Sequence, residues 1–245
     1  MRGTSTFDNA MLTHNDITVK RIELAVEEIR TCFYTAKFPV SLSVYKTPER
    51  IPYAEAIQQN YAPSALGEHL GNLWDTTWFH IRAEVPRGAE GREIHFLWNT
   101  GSEGMIWVDG EPRQSFSVEC HTFRNGGPLT SPLRDPRVEF VLTRKATVGK
   151  KFDFFIETAA NALFGVLDEY MQPKKAEFSV RQAELGVFDR EAWDMYWDAA
   201  LLAQTLTSIP QDIPRRGQLL YGLNQFVNTL VLEDRSTWAK ARALL

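Results

Sequence analysis

The chain has 245 residues, of which 44% are apolar and 24% charged, and its formal net charge at pH 7 is −4. This composition is typical of a globular protein, and the length allows one or two domains with a sizeable core. Basic residues form no stripe, which disfavours a nucleic-acid-binding protein, and no apolar run approaches the roughly 18 residues that span a bilayer.

The N-terminus and the cysteines indicate a cytoplasmic protein. Residues 1–16 lack the apolar core of a secretory signal. The two cysteines, Cys32 and Cys120, lie far apart in the chain, which argues against a disulfide scaffold and favours a reducing compartment. The sequence also contains no Asn-x-Ser/Thr motif for N-glycosylation, in agreement with that compartment.

The first predicted element is a helix over residues 17–34. Its apolar positions repeat at i, i+4, i+7 and i+11, the spacing of one helical face; they are Ile22, Val26, Ile29 and Phe33. Asp16 is the expected N-cap, because a short side-chain acceptor can bind a free backbone N–H of the first turn. Residues 40–44 then alternate as a strand. Residues 47–73 contain three prolines and two glycines and are expected to wrap over a core, without regular structure and without forming part of that core.

Residues 77–188 predict seven or eight short strands. Apolar residues alternate with polar ones, as in strands with one buried face; the segments are 77–85, 94–98, 105–108, 138–142, 152–156, 178–180 and 185–188. Asp109-Gly110 follows the third segment and readily takes the positive φ angles of a tight turn. A long loop is expected over residues 120–136. Because turns rather than helices separate the strands, an antiparallel β-sandwich or jelly roll is predicted.

After Phe188 the apolar period changes from two to about 3.6, which is the helical value. Asp189 is the expected N-cap of a helix that Pro210 ends, with a face made of Trp193, Tyr196, Trp197, Ala200, Leu201 and Gln204. A second helix is predicted over residues 218–232, after Arg215-Arg216-Gly217, and no closing element is expected beyond residue 234. The predicted fold is mainly β with flanking α: a helical segment 1–38, a β-sandwich domain 39–188 and a helical linker 189–245.

The acidic residues near the third strand do not predict a catalytic pair. Two carboxyl groups that lie close together, one as nucleophile and one as general acid and base, are a common catalytic arrangement. Glu103, Asp109 and Glu111 each lie at or beside a glycine turn, where solvated turn residues are expected. Glu157 is flanked by apolar strand residues and is expected to form a hydrogen bond or an ion pair. No catalytic residue is predicted in the chain.

The histidines do not predict a metal site. No two of them have the spacing of a zinc-binding pair; they are His14, His69, His80, His95 and His121. His80 and His95 lie on predicted strands opposite the apolar residues, so each is expected to face the surface or to form a hydrogen bond between elements. Cys120 and His121 are adjacent and would point to opposite sides of a strand, which disfavours a nucleophilic pair. Neither a metal nor a cofactor is expected in this chain.

Four ordered segments resemble the N-terminal region of class II α-mannosidases of glycoside hydrolase family 38, in the cytosolic and vacuolar Ams-type branch. They are residues 76–79 (TTWF), 93–112 (EIHFLWNTGSEGMIWVDGEP), 155–165 (FIETAANALFG) and 183–190 (AELGVFDR). A looser similarity links the strands to galactose-binding-like modules at the front of many β-galactosidases. The resemblance implies a jelly-roll module that follows a helical segment and precedes helices leading to a catalytic domain.

The resemblance also implies that the catalytic domain is absent from this chain. Family members bind zinc through a domain that opens with a Gly-His-x-His-x-Asp motif, and they use an aspartate nucleophile. The His-x-Asp of this chain is His14-Asn15-Asp16, without the preceding glycine. Zinc is accordingly expected in the missing domain. The implied role is an accessory region, inactive by itself, of an enzyme that acts on mannose-containing glycans in the cytoplasm or after delivery to the vacuole.

Three roles stay open for the chain. As an accessory region, it is expected to contact the catalytic domain or another subunit of a homo-oligomer through Trp193, Trp197, Leu201, Leu219, Leu223 and Phe226. As a stand-alone module, it would bind a mannose-containing glycan through Trp98, Asn99, Glu103, Trp107 and Asp109, because aromatic faces stack on sugars. Packing of these tryptophans in the core or against the missing domain is the competing interpretation. The third role is a purely structural or oligomerisation module.

Overall fold

The computed structural model describes residues 14–117, 137–161 and 178–245. These residues divide into two compact units. Residues 14–33 and 189–245 form a helical unit, and residues 34–117, 137–161 and 178–188 form a β unit. The long loop predicted over residues 120–136 lies outside the described residues.

The helical unit contains α1 (Asn15–Ile29), α3 (Arg190–Ser208), α4 (Pro214–Thr229) and α5 (Trp238–Arg242). Short 3-10 turns follow α1 at Arg30–Cys32 and precede α5 at Arg235–Thr237. The β unit contains one short helix, α2 (Tyr53–Ala56), among its described residues. Its strands are β1 (Tyr34–Pro39), β2 (Ser41–Thr47), β3 (Ala62–Ser64), β4 (Thr76–Glu84), β5 (Ile94–Asn99), β6 (Gly104–Val108), β7 (Glu111–Phe116), β8 (Glu139–Thr143), β9 (Lys151–Ala159) and β10 (Gln182–Phe188).

The strands form two antiparallel sheets. The four-stranded sheet has the order β1-β10-β5-β8, and the six-stranded sheet has the order β3-β2-β4-β9-β6-β7. Side chains from both sheets share one apolar core. In it, Phe79 contacts Trp98 and Phe96 contacts Phe154, with ring centroids 4.9 and 5.0 Å apart. The predicted architecture, an antiparallel β-sandwich with flanking helices, is confirmed.

In the six-stranded sheet, burial follows the alternation that predicted the strands. On β4, Phe79 and Ile81 are buried in the core, and Arg82 is exposed on the other side. On β9, Phe154 and Ile156 are buried in the same way. Successive side chains of a strand point to opposite faces, so each of these strands has one face in the core.

Strand β5 departs from this alternation, because both of its faces are buried. His95 lies opposite the predicted apolar face, yet only 4% of its surface is exposed. Its Nδ1 lies 3.1 Å from the Tyr34 hydroxyl of β1, and its Nε2 lies 3.1 Å from the Glu93 carboxylate. The surface position predicted for His95 was therefore wrong. The alternative, a hydrogen bond between elements, is confirmed.

The turn between β6 and β7 is the one predicted from Asp109-Gly110. Asp109 has a φ of +54° and Gly110 a φ of +82°. Glycine takes this left-handed conformation without a Cβ clash, and aspartate tolerates it better than most residues. Positive φ at both central residues is typical of the hairpin turn that matches the twist of the two strands.

Residues 47–73 are more regular than predicted. Helix α2 follows Pro52, and β3 pairs with β2 as the edge strand of the six-stranded sheet. An edge strand can contain Pro63, because one side of it needs no backbone N–H donor. Leu70 is buried in the shared core, so the segment contributes to that core, contrary to the expectation that it would only cover it.

Helix α1 starts earlier than predicted and has a different N-terminus. Its N-cap position is His14, without a side-chain hydrogen bond, so the N-cap predicted at Asp16 was wrong. Asp16 lies in the first turn, where its negative charge interacts favourably with the helix dipole. The buried residues are those of the predicted apolar face: Ile22, Val26 and Ile29. Tyr34 is the first residue of β1 and not the end of the helix.

Helix α3 follows its prediction, whereas α4 begins earlier than expected. The side chain of Asp189 accepts a hydrogen bond from the Ala192 backbone N–H at 3.1 Å, which confirms the predicted N-cap. Helix α3 ends at Ser208, before the predicted stop at Pro210. Helix α4 begins at Pro214, so Arg215-Arg216-Gly217 lie in its first turn, since proline suits the first helical position.

The residues after 234 form a closing element, contrary to the prediction. Trp238 of α5 is buried, and its Nε1–H donates to the Val231 carbonyl at 3.1 Å. The Arg235 guanidinium lies over the Trp238 ring, 3.9 Å from its centroid, and forms an ion pair with Asp189. A five-residue helix is too short for a periodic signal.

Asp189→Ala is expected to lower the free energy of unfolding by about 1–2 kcal/mol, because α3 loses its N-cap and Arg235 loses its ion-pair partner. Asp189→Asn is the matched control, since asparagine caps equally well but carries no charge. Urea unfolding followed by circular dichroism should rank the wild type first, the asparagine variant second and the alanine variant last. Equal stability of the two variants would contradict the capping role.

Candidate functional site

Aromatic rings form a cluster on the outer face of the six-stranded sheet, opposite the core. This outer aromatic cluster consists of Tyr53, Tyr61, Trp78, His80, Trp107 and Phe155. Its neighbouring ring centroids lie between 4.3 and 6.1 Å apart. The tyrosines belong to the segment between β2 and β4, and the other rings belong to β4, β6 and β9. The segment therefore covers this part of the sheet with aromatic side chains.

Tyr53 covers one face of Trp107. Their rings are stacked, with centroids 4.9 Å apart and planes 19° from parallel. Trp78 contacts Trp107 as well, at 6.0 Å between centroids. A sugar that stacked on Trp107 from the side of Tyr53 would have to displace that tyrosine. The place that a ligand ring would occupy is thus taken by a ring of the same chain.

The tyrosines of the cluster stay protonated at neutral pH. Burial raises the pKa of Tyr61, whose hydroxyl donates a hydrogen bond to the Ala56 carbonyl at 3.1 Å. Burial also raises the pKa of Tyr53, with a further contribution from the negative charge of Asp109. Neither phenol is activated as a nucleophile or a general base, and the cluster is suited to packing.

Ion pairs lie beside the cluster. The Arg50 Nε donates to the Glu157 carboxylate at 2.6 Å, so the ion pair predicted for Glu157 is present. The His80 Nε2 lies 2.6 Å from the Asp153 carboxylate, which also accepts from Arg82 at 3.4 Å. His80 thus has the predicted hydrogen bond to another strand. A groove of about 500 Å³ borders these strands and is lined by Pro39, Val40, Ser41, Arg82, Ala83, Glu84, Lys151, Phe152 and Asp153.

The two tryptophans predicted as sugar ligands do not share a surface. Trp98 lies on β5 in the core, with 1% of its surface exposed and its ring against Phe79. Trp107 lies on β6 of the other sheet, on the outer face, and is half-buried. Trp98 therefore presents no face on which a sugar could stack, in agreement with the competing interpretation of core packing.

The three polar residues predicted to bind a glycan lie at two different places in the β unit. The Asn99 Oδ1 accepts from the Gly101 backbone N–H at 2.8 Å and stabilises the turn after β5. The Glu103 carboxylate accepts from the Asn161 Nδ2 at 2.7 Å, a partner that the sequence did not indicate. Asp109 is exposed in the β6–β7 turn. The structure brings Asn99 and Glu103 to the same connection, between β5 and β6, and leaves Asp109 at the opposite end of β6.

The six predicted interface residues differ in exposure. Leu223 and Phe226 are buried in the core of the helical unit, which contradicts a role in contacting another subunit directly. Trp193 is half-buried against Phe33, at 5.1 Å between ring centroids. Leu201 is 55% exposed, while Trp197 and Leu219 are half-buried. Of the face predicted for α3, Tyr196 and Ala200 are buried. The complete set of buried residues on this helix is Ala192, Met195, Tyr196, Ala199, Ala200, Ala203 and Leu206.

The described residues do not provide a zinc site. Across residues 14–117, 137–161 and 178–245, no three His, Cys, Asp or Glu side chains are grouped so that they could hold a metal ion. The zinc implied by the family resemblance therefore has no ligand set in this part of the chain. In the same ranges, no helix has the length and apolar character needed to span a membrane.

Trp98→Ala is expected to lower the free energy of unfolding by about 3–5 kcal/mol, because it leaves a cavity between the two sheets. Trp98→Phe keeps an aromatic ring in the core and is expected to cost less. Thermal denaturation followed by circular dichroism measures both. A change below about 1 kcal/mol for the alanine variant would contradict the core position.

The stability of the protein is expected to fall above pH 10, in part because of Tyr61. In the unfolded chain its phenol has a pKa near 10.0, and in the folded chain burial raises that pKa. The unfolded state therefore releases this proton first, so stability is unaffected below pH 10 and decreases as the pH rises further. Tyr61→Phe should weaken this decrease, while Tyr221→Phe, at an exposed tyrosine, should not. Urea midpoints at a series of alkaline pH values test the difference, and identical pH profiles would contradict it.

Comparison with known proteins agrees with the fold. Residues 38–186 match a family model described as the jelly roll domain of alpha-mannosidase. The chain is 31% identical to alpha-mannosidase 2C1 of Mus musculus and 32% identical to that of Homo sapiens, over 95% of its length in both cases. It is 30% identical to alpha-mannosidase G of Dictyostelium discoideum over 96% of its length. The chain spans 22% of the length of each of these three relatives.

A solved structure, a beta-glucuronidase of Ruminococcus gnavus, matches 61% of this chain and 27% of its own, with a TM-score of 0.41 and 10% identity. That similarity is too low to support an argument. The family match is specific, because it runs from within β1 to within β10 and so includes both sheets of the sandwich. The chain belongs to the α-mannosidase family, and residues 38–186 are its jelly-roll domain.

Proposed function

We propose that the chain is the N-terminal accessory region of an α-mannosidase and that hydrolysis is carried out by a catalytic domain outside it. This proposal is based on the finding that the chain aligns with only a part of each α-mannosidase. Almost the whole chain aligns with α-mannosidases, yet it spans 22% of their length, and the domain that it matches is a jelly roll. The accessory region supports the catalytic domain by packing against it and by assisting oligomer assembly.

Exposed apolar side chains on the helical unit support the packing role. Ile17 and Leu24 are both exposed and lie seven residues apart, on one face of α1. Between them, the Arg21 guanidinium donates to Asn224 of α4 at 3.1 Å. Tyr221, also exposed, lies one turn before Asn224 on the same side of α4. Ile17, Leu24 and Tyr221, grouped by their positions on α1 and α4, are called the helical-unit patch below, and we infer that they contribute to an interaction surface.

The type of partner, the substrates and the compartment are inferred from the family resemblance. We infer that the partner of the helical-unit patch is a zinc-dependent catalytic domain of the glycoside hydrolase family 38 type or another subunit of a homo-oligomer. The substrates are mannose-containing glycans, and the compartment is the cytoplasm. These assignments are supported by the relatives that are named α-mannosidases and by the four sequence segments that resemble the family.

The purified chain is expected to show no turnover of an aryl α-mannoside in the presence of zinc, because the described residues provide no zinc ligand set. Human alpha-mannosidase 2C1, assayed in parallel, is the positive control. The coding sequence downstream of Leu245 is expected to continue in frame and to encode a Gly-His-x-His-x-Asp motif. Chelator-sensitive hydrolysis by the chain alone, or a downstream sequence without this motif, would overturn the proposal.

A double variant tests whether the helical-unit patch packs against a partner. Leu24→Asp combined with Tyr221→Asp places two charges in the helical-unit patch and is expected to disrupt the assembly of the longer gene product, measured by sedimentation. Val148→Asp, at an exposed apolar residue of the β unit, is the matched control. Unchanged assembly of the double variant would reject the patch as the contact surface.

A further inference from the structure

Trp74 combines an unusual backbone conformation with high exposure. Its φ is +73°, and 56% of its surface is exposed. Among the described residues, the other residue with positive φ that is not glycine is Asp109, which lies in the predicted hairpin turn. A bulky residue in this left-handed region is strained, and such strain is found preferentially at functional sites.

Backbone hydrogen bonds hold Trp74 in this position. The Trp74 N–H donates to the Ala160 carbonyl at 2.9 Å, and the Ala160 N–H donates to the Asp75 carbonyl at 3.0 Å. The Asn72 N–H donates to the Asp75 carboxylate at 2.7 Å and tightens the turn before it. The indole is therefore presented from a fixed backbone next to the end of β9 and not from a free loop.

A polar pair lies directly beside this backbone contact. Asn161 follows Ala160, and its Nδ2 donates to the Glu103 carboxylate at 2.7 Å. The Glu103 carbonyl accepts from the Ala159 N–H at 3.2 Å, so Ala159 at the end of β9 and the two residues after it join Trp74 and Glu103. Glu103 is exposed, whereas Asn161 is more than nine-tenths buried.

Within residues 14–117, 137–161 and 178–245, two buried oxygen atoms at this place have no hydrogen-bond partner. They are the Oδ1 of Asn161 and the Oγ1 of Thr158. Thr158 is completely buried at the end of β9. Buried polar atoms are nearly always hydrogen-bonded in native proteins, so two unsatisfied oxygens beside the strained Trp74 make this connection unusual for a purely structural one.

An exposed indole and an exposed carboxylate that a buried amide holds in place are together suited to a sugar. The apolar C–H face of a pyranose ring stacks on an aromatic side chain, and its hydroxyls donate to carboxylate oxygens. The negative charge of Glu103 disfavours an anionic sugar by repulsion. The residues therefore favour a neutral carbohydrate.

We propose that Trp74 and Glu103, whose carboxylate is held by Asn161, form a contact site for a neutral, mannose-containing oligosaccharide. The choice of mannose rests on the proposed function, whereas the neutral sugar class rests on the side chains. Of the residues predicted from the sequence, Glu103 belongs to this site. Trp98 and Trp107, which are engaged in packing, do not.

The test is a calorimetric titration of the purified chain with mannobiose, together with thermal denaturation of each variant. Trp74→Gly is the decisive variant, because glycine adopts a φ of +73° without strain and removes the indole. Wild type is expected to bind in the millimolar range. The glycine variant is expected to lose affinity by about tenfold or more, with an unchanged or raised Tm. Such a result separates lost binding from lost folding.

Two further variants and an anionic sugar test the roles of charge and of Trp74 in binding. Glu103→Gln keeps the size of the side chain and is expected to weaken binding severalfold, while Leu66→Ala, at an exposed apolar residue of the same unit, is expected to leave it unchanged. Glucuronic acid is the anionic comparison and is expected to bind more weakly than mannobiose.

No heat with mannobiose at tens of millimolar, equal affinity of wild type and Trp74→Gly, or equal binding of glucuronic acid would each overturn the sugar site. If mannobiose does not bind and Trp74→Gly instead alters assembly of the longer gene product, Trp74 contacts protein and the sugar site is rejected. The proposed accessory function is judged separately, by the downstream coding sequence and the turnover assay, and survives the loss of this inference.

Discussion

The contact of Phe79 with Trp98 across the two sheets is the interaction on which the β unit depends. Phe79 comes from β4 and Trp98 from β5, and Phe96 with Phe154 makes a second contact of the same kind. These large rings fill the space between the sheets, and core packing at native density leaves little freedom for a shift in register. Strand β4 pairs with β9 along its full length, so the position of Phe79 also determines which side chains of β9 face outwards.

One consequence is that aromatic rings also point to the outer face of the six-stranded sheet, where other side chains must shield them from water. The strand alternation that directs Phe79 inwards directs Trp78 outwards, and Phe155 follows on β9. Exposed on a sheet surface, these rings would form an apolar patch, which favours aggregation. The segment between β2 and β4 covers them with Tyr53 and Tyr61. Trp74 is the contrast, since the backbone holds it exposed at a strained φ rather than packing it away.

Sequence patterns predicted the elements well where the signal is local. The apolar period marked α1, the long C-terminal helices and most strands, and the cap at Asp189 and the turn at Asp109-Gly110 depend on neighbouring residues only. Predictions failed where contacts with residues distant in the sequence determine whether a side chain is buried or a helix is stable. His95 is buried because Tyr34, far away in the sequence, reaches its ring, and α5 is stable because Trp238 enters the helical unit. No sequence pattern indicated the unpartnered Oδ1 of Asn161 or the positive φ of Trp74.

By itself, the sequence determined the class of fold and the family resemblance, because two periodicities and four ordered segments are properties of the chain alone. It also identified Trp98 and Trp107 as two aromatic residues on neighbouring strands. Only the tertiary structure decided that Trp98 fills the core and that Trp107 lies under Tyr53 on the opposite side of the other sheet. The physical reason is that alternation shows that a strand has two faces, whereas the elements that cover each face are brought there by long-range packing.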